Sequence, residues 1–161
     1  MDISQAQQLL SGFGASLGLP GMSLDDSGHC ALVFDEVAVN IDFIGETQDL
    51  LVYSLLGILD NAQRGDPTLL LPLLQANYFS IGTAGGQIGI DKESGTVSMF
   101  RAYPLRLLDL PALSASLQAF VSAAEYWKTW LSVLDEELDE PAGTAASLAR
   151  MPQGNPGMIR A

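Results

Sequence analysis

The chain has 161 residues, 48% of them hydrophobic and only 16% charged, with 19 acidic against 7 basic residues and a formal net charge of −12. That length and apolar content suffice for one compact domain and exclude global disorder. The negative field opposes phosphate backbones and anionic lipid, so neither nucleic acid nor membrane is an expected partner. Cys30 is the sole cysteine, which excludes a disulfide within the chain and suits a reducing compartment. The opening MDISQAQQLL lacks a basic leader and the apolar runs fall short of a membrane span, so a cytoplasmic protein is expected.

The first predicted element is a helix. Ile3, Ala6, Leu9, Leu10, Phe13 and Leu17 recur at three- and four-residue steps and form one apolar stripe. Asp2 followed by Gln5 resembles a capping box, and Gly18 before Leu19-Pro20 supplies a left-handed stop. Gly12 and Gly14 each weaken a helix by roughly 1 kcal/mol relative to Ala. They are either neutral or places where another backbone comes close. Two short strands are predicted next, Met22–Asp25 and Cys30–Phe34, around a turn at Asp26-Ser27-Gly28. After a reversal at Asp35-Glu36, Val37, Val39, Ile41 and Phe43 alternate with Ala38, Asn40 and Asp42, the period of a strand with one wet face. Leu50–Leu59 is apolar on every side, so periodicity does not separate strand from helix. Val52, Tyr53, Gly57 and its place after a meander favour a strand.

Asp60–Pro67 breaks the pattern, and a second helix is predicted over Leu69–Phe79, with Thr68 as its cap and Pro72 tolerated near its first turn. Leu69, Leu70, Leu71, Leu73, Leu74, Tyr78 and Phe79 wrap nearly its whole circumference. A short helix that is apolar all round must be covered twice, which points to a subunit interface. A loop at Gly82–Gly86 precedes a hairpin, Gln87–Asp91 and Thr96–Tyr103, with Val97, Met99, Arg101 and Tyr103 on one face. The last helix opens at Pro111 and steps through Leu113, Leu117, Phe120, Ala124, Trp127, Leu131, Leu134 and Leu138. Its few heptad-like turns suit one long covering helix rather than a coiled coil. Residues 1–138 form the expected domain, and Asp139–Ala161, rich in Ala, Gly, Pro and Ser, reads as a mobile tail.

Little here asks for catalysis. His29 is the only histidine, which removes any multi-histidine metal site. Its neighbour Cys30 lies on the opposite face of a strand, so the two do not form a nucleophile–base pair. Gly82-x-x-Gly85-Gly86 lacks the Gly-Lys-Ser/Thr ending of a phosphate loop and precedes a strand. Asp25, Asp26, Asp35 and Glu36 are turn carboxylates and fit no calcium loop. Asp135-Glu136-Glu137 with Asp139-Glu140 opposes the dipole at a helix C-terminus, which suggests fraying or an electropositive partner. No catalytic, cofactor-binding or metal-binding residue is expected, no cofactor is expected, and a binding protein is preferred over an acidic α+β enzyme.

The order helix, three strands, apolar strand, helix, hairpin, long helix resembles the class I type III secretion chaperones, the Tir chaperone or CesT-like family. The resemblance runs over about residues 1–135 and rests on several short motifs. They are Leu17-Gly18-Leu19-Pro20, Leu24 to Cys30 leading into Leu32-Val33-Phe34-Asp35, Leu74-Gln75-Ala76-Asn77, Gly89-Ile90-Asp91 with Gly95, and Phe120-Val121 to Trp127. The opening and Gly157-Met158 also resemble regulators of the ExsC type. The resemblance implies an α+β fold, a twisted antiparallel sheet with helices packed on it. It also implies a bacterial homodimer without ATPase activity that holds a secreted effector's N-terminal segment in extended form, ready for export. The alternative role is a regulatory chaperone that sequesters an anti-activator. Mapped onto this sequence, client contacts would fall on Leu10, Phe13, Leu17, Leu24, Val33 and Met99, and dimer contacts on Leu70, Leu73, Leu74 and Tyr78. Apolar burial at roughly 25 cal/mol per Å² and strand addition to a sheet edge would hold such a client without strict sequence demands.

Overall fold

The computed structural model describes residues 3–139, with side chains through Val133. Helix α1 (Ile3–Ser16) leads into strands β1 (His29–Phe34), β2 (Val37–Ile44) and β3 (Asp49–Ile58). Helix α2 (Pro67–Ala76), strands β4 (Gln87–Ile90) and β5 (Thr96–Pro104) and helix α3 (Leu110–Asp139) follow. The five strands form one sheet in the order β1-β2-β3-β5-β4, with every neighbour antiparallel. The expected α+β class and helix-on-sheet layering are what the chain adopts. The Asp2 cap, the side chains of Leu134 and Leu138, and the tail from residue 140 onward lie outside the described residues.

Register explains which face is buried. Cys30, Ile41 and Val52 stand opposite one another across β1, β2 and β3, as do Leu50 with Tyr103 and Ser54 with Met99 across β3 and β5. These residues face the helices and are buried, with Ile41, Leu50, Val52 and Met99 fully so. Ala6, Leu10 and Phe13 of α1 and Leu113, Leu117, Phe120, Ala124, Trp127 and Leu131 of α3 close over them. The stripe read along α3 is therefore its core face. The register shift between Leu55 and Gly57 is a bulge: Leu56 keeps the inward face of Leu50, Val52 and Ser54, and Gly57 takes the place opposite Val97, against Leu131.

Two expectations fail locally. Met22–Asp25 is not a strand, so the sheet has five strands rather than six. Met22 and Leu24 are packed into the core. The Leu24 N–H is taken by Gln7 Oε1 at 2.9 Å, leaving Asp25 N–H to His29 O as the rung to β1. Helix α2 begins two residues early and ends three early. Its cap is Asp66, whose carboxylate accepts from Thr68 N–H and Oγ at 2.8 Å, with Pro67 in the first turn. It ends because the Asn77 side chain leaves the helix for β4, donating to Ile88 O and accepting from Ile88 N–H at 2.9 and 2.7 Å. Phe79 and Ser80 then adopt left-handed φ of 52° and 53° inside a 3₁₀ turn, Tyr78–Thr83.

Arg64 ties the far end of the molecule together, donating to Leu59 O, Lys92 O and Glu93 O. Gly95 makes that closure possible: its φ is +76°, and a Cβ there would stand 2.1 Å from Leu59 O.

Two stability predictions follow from the core. Phe120→Ala should lower unfolding free energy by about 3–5 kcal/mol in urea titrations. Ser54 is fully buried and its hydroxyl has no hydrogen-bond partner. Ser54→Ala should therefore leave stability unchanged or raise it by up to about 1 kcal/mol; a loss larger than that would show that the hydroxyl is satisfied.

Candidate interaction surfaces

Three surfaces remain accessible once the core is built. The first is the sheet face away from the helices. Alternation places His29, Ala31 and Val33 of β1, Asn40 and Asp42 of β2, Leu51, Tyr53 and Leu55 of β3, and Phe100 and Ala102 of β5 on it. Val33 is 71% exposed and Leu55 49%. A polar row crosses this face at one end: His29 Nδ1 lies 2.6 Å from Asp42 Oδ1, and Tyr53 also hydrogen-bonds Asp42. Partial burial, then the Asp42 carboxylate, push the Tyr53 hydroxyl upward in pKa.

The second surface is the turn after α2. Tyr78 and Phe79 pack edge to face at 4.5 Å, yet they are 69% and 80% exposed, and Ile81, Leu74 and Leu71 are exposed beside them. Residues 67–90 contain no Asp, Glu, Lys or Arg, in a chain of net charge −12. The turn is anchored beneath: Trp127 Nε1 donates to Gly82 O at 2.8 Å, and Arg101 donates to Ala84 O while its guanidinium lies 4.5 Å over the Tyr103 ring.

The third is a groove of about 550 Å³ between the α1–β1 loop and the outer edge of β1, lined by Leu19, Pro20, Met22, Cys30, Ala31 and Leu32 among others. Gly14 lets that loop close on α1, because a Cβ there would meet Met22 Cβ at 2.4 Å and Leu19 O at 2.8 Å. Of the two readings of the paired glycines, Gly14 is a site of close backbone approach. Gly12 makes only ordinary contact with Leu110.

Both sheet edges are capped by a side chain. On β4, Asn77 satisfies both outward backbone groups of Ile88. On β1, Asp25 does the same for His29: its N–H donates to His29 O at 2.8 Å, and its Oδ1 accepts from His29 N–H at 3.0 Å. Ser27 N–H and Oγ also donate to Asp25 Oδ1. That hydroxyl first, then His29 N–H, hold the Asp25 carboxyl below the usual range. The backbone of His29 thus faces away from β2, and by the period of two so do Ala31 and Val33. Among the described residues, neither Ala31 nor Val33 has a backbone partner on that side.

The expected site residues divide. Leu10, Phe13, Leu24 and Met99 are core residues with almost no surface to offer a partner, whereas Leu17 and Val33 are exposed. Leu73 is buried at 3%, Leu70 is half-buried against the core, and Leu74 and Tyr78 are exposed. Val33 is on the uncovered sheet face and Leu17 directly precedes the loop that lines the β1 groove; Leu74 is on the exposed side of α2 and Tyr78 in the turn after it. Sequence reasoning had Phe79 on the apolar second helix but not among the mapped dimer contacts, and it missed Ile81 in the turn and Leu55 on the sheet. The uncharged run 67–90 was the legible signal for the first two. His29 and Cys30 diverge to opposite faces, and burial followed by Asp25 pushes the Cys30 thiol upward in pKa. Among the described residues no three His, Cys, Asp or Glu side chains are grouped to hold a metal ion, and no helix is long and apolar enough to cross a membrane.

Comparison with known proteins places this geometry. The model of the Tir chaperone protein (CesT) family matches residues 8–128. The transcriptional anti-antiactivator ExsC of Pseudomonas aeruginosa is 28% identical over 137 residues, covering 81% of this chain and 89% of that protein. The crystal structure of the ExsC–ExsE complex contains a similar chain, with a TM-score of 0.67, 28% identity and coverage of 80% and 96%. The HopA1–SchA chaperone–effector complex contains another, with a TM-score of 0.65, 23% identity and coverage of 80% and 98%; that likeness concerns the fold.

Two measurements check this chemistry. Cys30, 7% exposed in the groove wall and with its thiol pushed upward in pKa, should react with a thiol reagent more slowly than an exposed thiol, and its rate should rise with urea alongside unfolding. Asp25 and Asp91 have carboxyls held below the ordinary range, Asp91 first by Ser94 N–H. Depressed folded-state values mean that their contribution is present above the unfolded pKa of about 4 and is lost as pH falls through the folded value. The urea midpoint should therefore drop below about pH 4, and less steeply in Asp25→Asn with Asp91→Asn.

Proposed function

Because this chain belongs to the Tir chaperone protein (CesT) family, we propose that it is a type III secretion chaperone. It binds the N-terminal segment of a secreted effector in extended form in the bacterial cytoplasm and keeps it competent for export. The observation that carries this reading is an apolar sheet face left uncovered in an acidic chain, with Val33 and Leu55 exposed beside half-buried Leu51, Tyr53 and Phe100. A face of that kind is a binding surface when it is not an aggregation hazard. The work is binding, not turnover, and no residue is assigned a catalytic role.

The protein acts as a homodimer through the turn Tyr78–Thr83 and the exposed side of α2. Two copies that each carry −12 repel over most of their surface. The uncharged stretch 67–90, with Leu71, Leu74, Tyr78, Phe79 and Ile81 outward, lets them approach without stacking like charges. Three consecutive-turn residues in left-handed φ, Phe79, Ser80 and Ala84, are the kind of strain that persists where a surface has a task. A regulatory version of the same role has an anti-activator as the client. The likeness to an anti-antiactivator is compatible with it without preferring it over the export role.

Affinity capture from the native host distinguishes these outcomes. A secreted protein retained by the wild type, and lost with Val33→Asp plus Leu55→Asp, supports the export role. A small non-secreted regulator supports the second, and no retained partner removes both. For the dimer, Leu74→Asp and Phe79→Asp should shift sedimentation to monomer while the unfolding midpoint of the monomer holds. Leu73→Asp should instead unfold the chain, because Leu73 is core.

A further inference from the structure

The uncovered sheet face is not uniform, and its most exposed end lies where α3 runs out. Val33 stands opposite Ala38 across β1 and β2, and Leu55 opposite Ser98 across β3 and β5, with Ile58 opposite Thr96 beyond it. Continuing the β2–β3 register two residues past Asn40 and Tyr53 sets Ala38 beside Leu55. Val33, Ala38, Leu55 and Ile58 are all exposed, so this end presents a continuous apolar row. Asp35 and Glu36, in the adjoining β1–β2 turn, are exposed as well, and neither carboxylate has a hydrogen-bond or ion-pair partner among the described contacts. Helix α3 delivers the chain to this same end. It runs along β3, from Ser116 beside Tyr103 to Leu131 against Gly57, and Lys128 Nζ donates to Glu36 O. Its last eight residues, to Asp139, carry it about 12 Å past Leu131. Residues 141–161 come next, outside residues 8–128 that match the family. They hold Arg150 and Arg160 but no Asp or Glu, in a chain of net charge −12, and Leu148 and Met151 flank Arg150.

We propose that residues 148–151 of this chain seat on its own sheet face at the Val33–Leu55 row, with Arg150 against Asp35 and Glu36. The seven residues 141–147 span at most about 25 Å, enough to recover the overhang of α3 and round the end of the sheet. A segment with basic but no acidic side chains is drawn to two unpaired carboxylates on a negative body, whereas a second copy brings a charge of −12 to the same place. Tethering holds the segment at an effective concentration on the order of millimolar, so a contact too weak to last between separate molecules is occupied about half the time or more. Leu148 and Met151 take the apolar row out of water, which removes part of its aggregation hazard. Resting on the reading of this face as the client site, the segment is a place-holder: it covers the row until a client displaces it, and only a client that binds better than the tethered segment does so.

Nitroxide broadening of backbone amide signals in the full chain tests this. The label goes on Gln153→Cys with Cys30→Ala, so that the probe sits beside the segment alone. Signals of Val33, Ala38 and Leu55 should fall by about half or more, the occupancy that tethering sets. Gln8, beside Leu110 at the start of α3, should keep its intensity. Leu148→Asp or Arg150→Glu in the same labelled chain should restore the signals, and Glu36→Lys should bring the broadening back in the Arg150→Glu variant. Should the labelled chain fail to fold, the otherwise wild-type chain serves: the Ala38 amide shift should move with Arg150→Glu and return when Glu36→Lys is added. No broadening at the row, broadening that is equal in all the variants, or no return with the charge swap overturns the inference. So does broadening at Ala38 when isotope-labelled wild type is mixed with nitroxide-labelled chain, because the segment then reaches a second copy instead. In capture from the host, Leu148→Asp plus Arg150→Glu should retain about two-fold more partner or better than the wild type; an equal amount overturns the place-holder role. Capture of no partner by either chain removes the chaperone reading, while the amide signals alone decide whether the segment is seated.

Discussion

Burial of a single sheet face organises this molecule. Strands β1, β2, β3 and β5 send alternate side chains toward α3, and Phe120, Leu117 and Leu113 fill the space between them. At roughly 25 cal/mol per Å² of apolar surface removed from water, that layer is the dominant favourable term. It also has a geometrical consequence. Helices α1 and α3 cover one side of the five strands and leave the other without a covering layer, and the same alternation that fills the core puts Val33, Leu51, Tyr53, Leu55 and Phe100 on the uncovered side. The core and the uncovered apolar face are two outcomes of one period-two pattern.

An exposed sheet has two hazards, its face and its edges, and the chain treats them differently. Each edge is closed at one rung by a polar residue that imitates a strand. Asn77 uses its amide as donor and acceptor on Ile88, and Asp25 uses its backbone N–H and carboxylate on His29. Each cap comes from a segment expected from sequence to be regular, and each is the reason that segment is not. Asn77 ends α2, and Asp25 turns the chain away from β1 before Met22–Asp25 can become a strand. The face has no such cap; the net charge of −12 opposes contact between copies in general, and the uncharged residues 67–90 contribute nothing to that repulsion.

Much of this was legible in the residues. The apolar stripe of α3 predicted six core positions that the structure buries, and the alternation in β2 predicted Val37, Val39 and Ile41 facing inward. The continuous apolar run of β3 was resolvable as a strand from its composition, and it is central in the sheet, where both neighbours and the helix layer surround it. The partner surfaces were less legible. Leu10, Phe13, Leu24, Leu73 and Met99 were expected at interfaces and are core. A leucine on an apolar stripe has the same sequence signature whether it faces its own sheet or another chain. Phe79 was placed at the end of a helix, but it and Ser80 adopt left-handed φ in a 3₁₀ turn, where Phe79 is exposed together with Ile81.

Composition and periodicity by themselves determined the α+β class, the position of most elements, the uncharged stretch and the scarcity of groups for catalysis, because these depend on local spacing and residue type. Tertiary structure alone decided which apolar residues stay accessible, where α2 stops, and that β1 keeps two open rungs between Asp25 and the end of the strand. Those features arise from side chains meeting backbone on another element or across a turn, and no local pattern encodes which of several possible partners a carboxylate or amide will take.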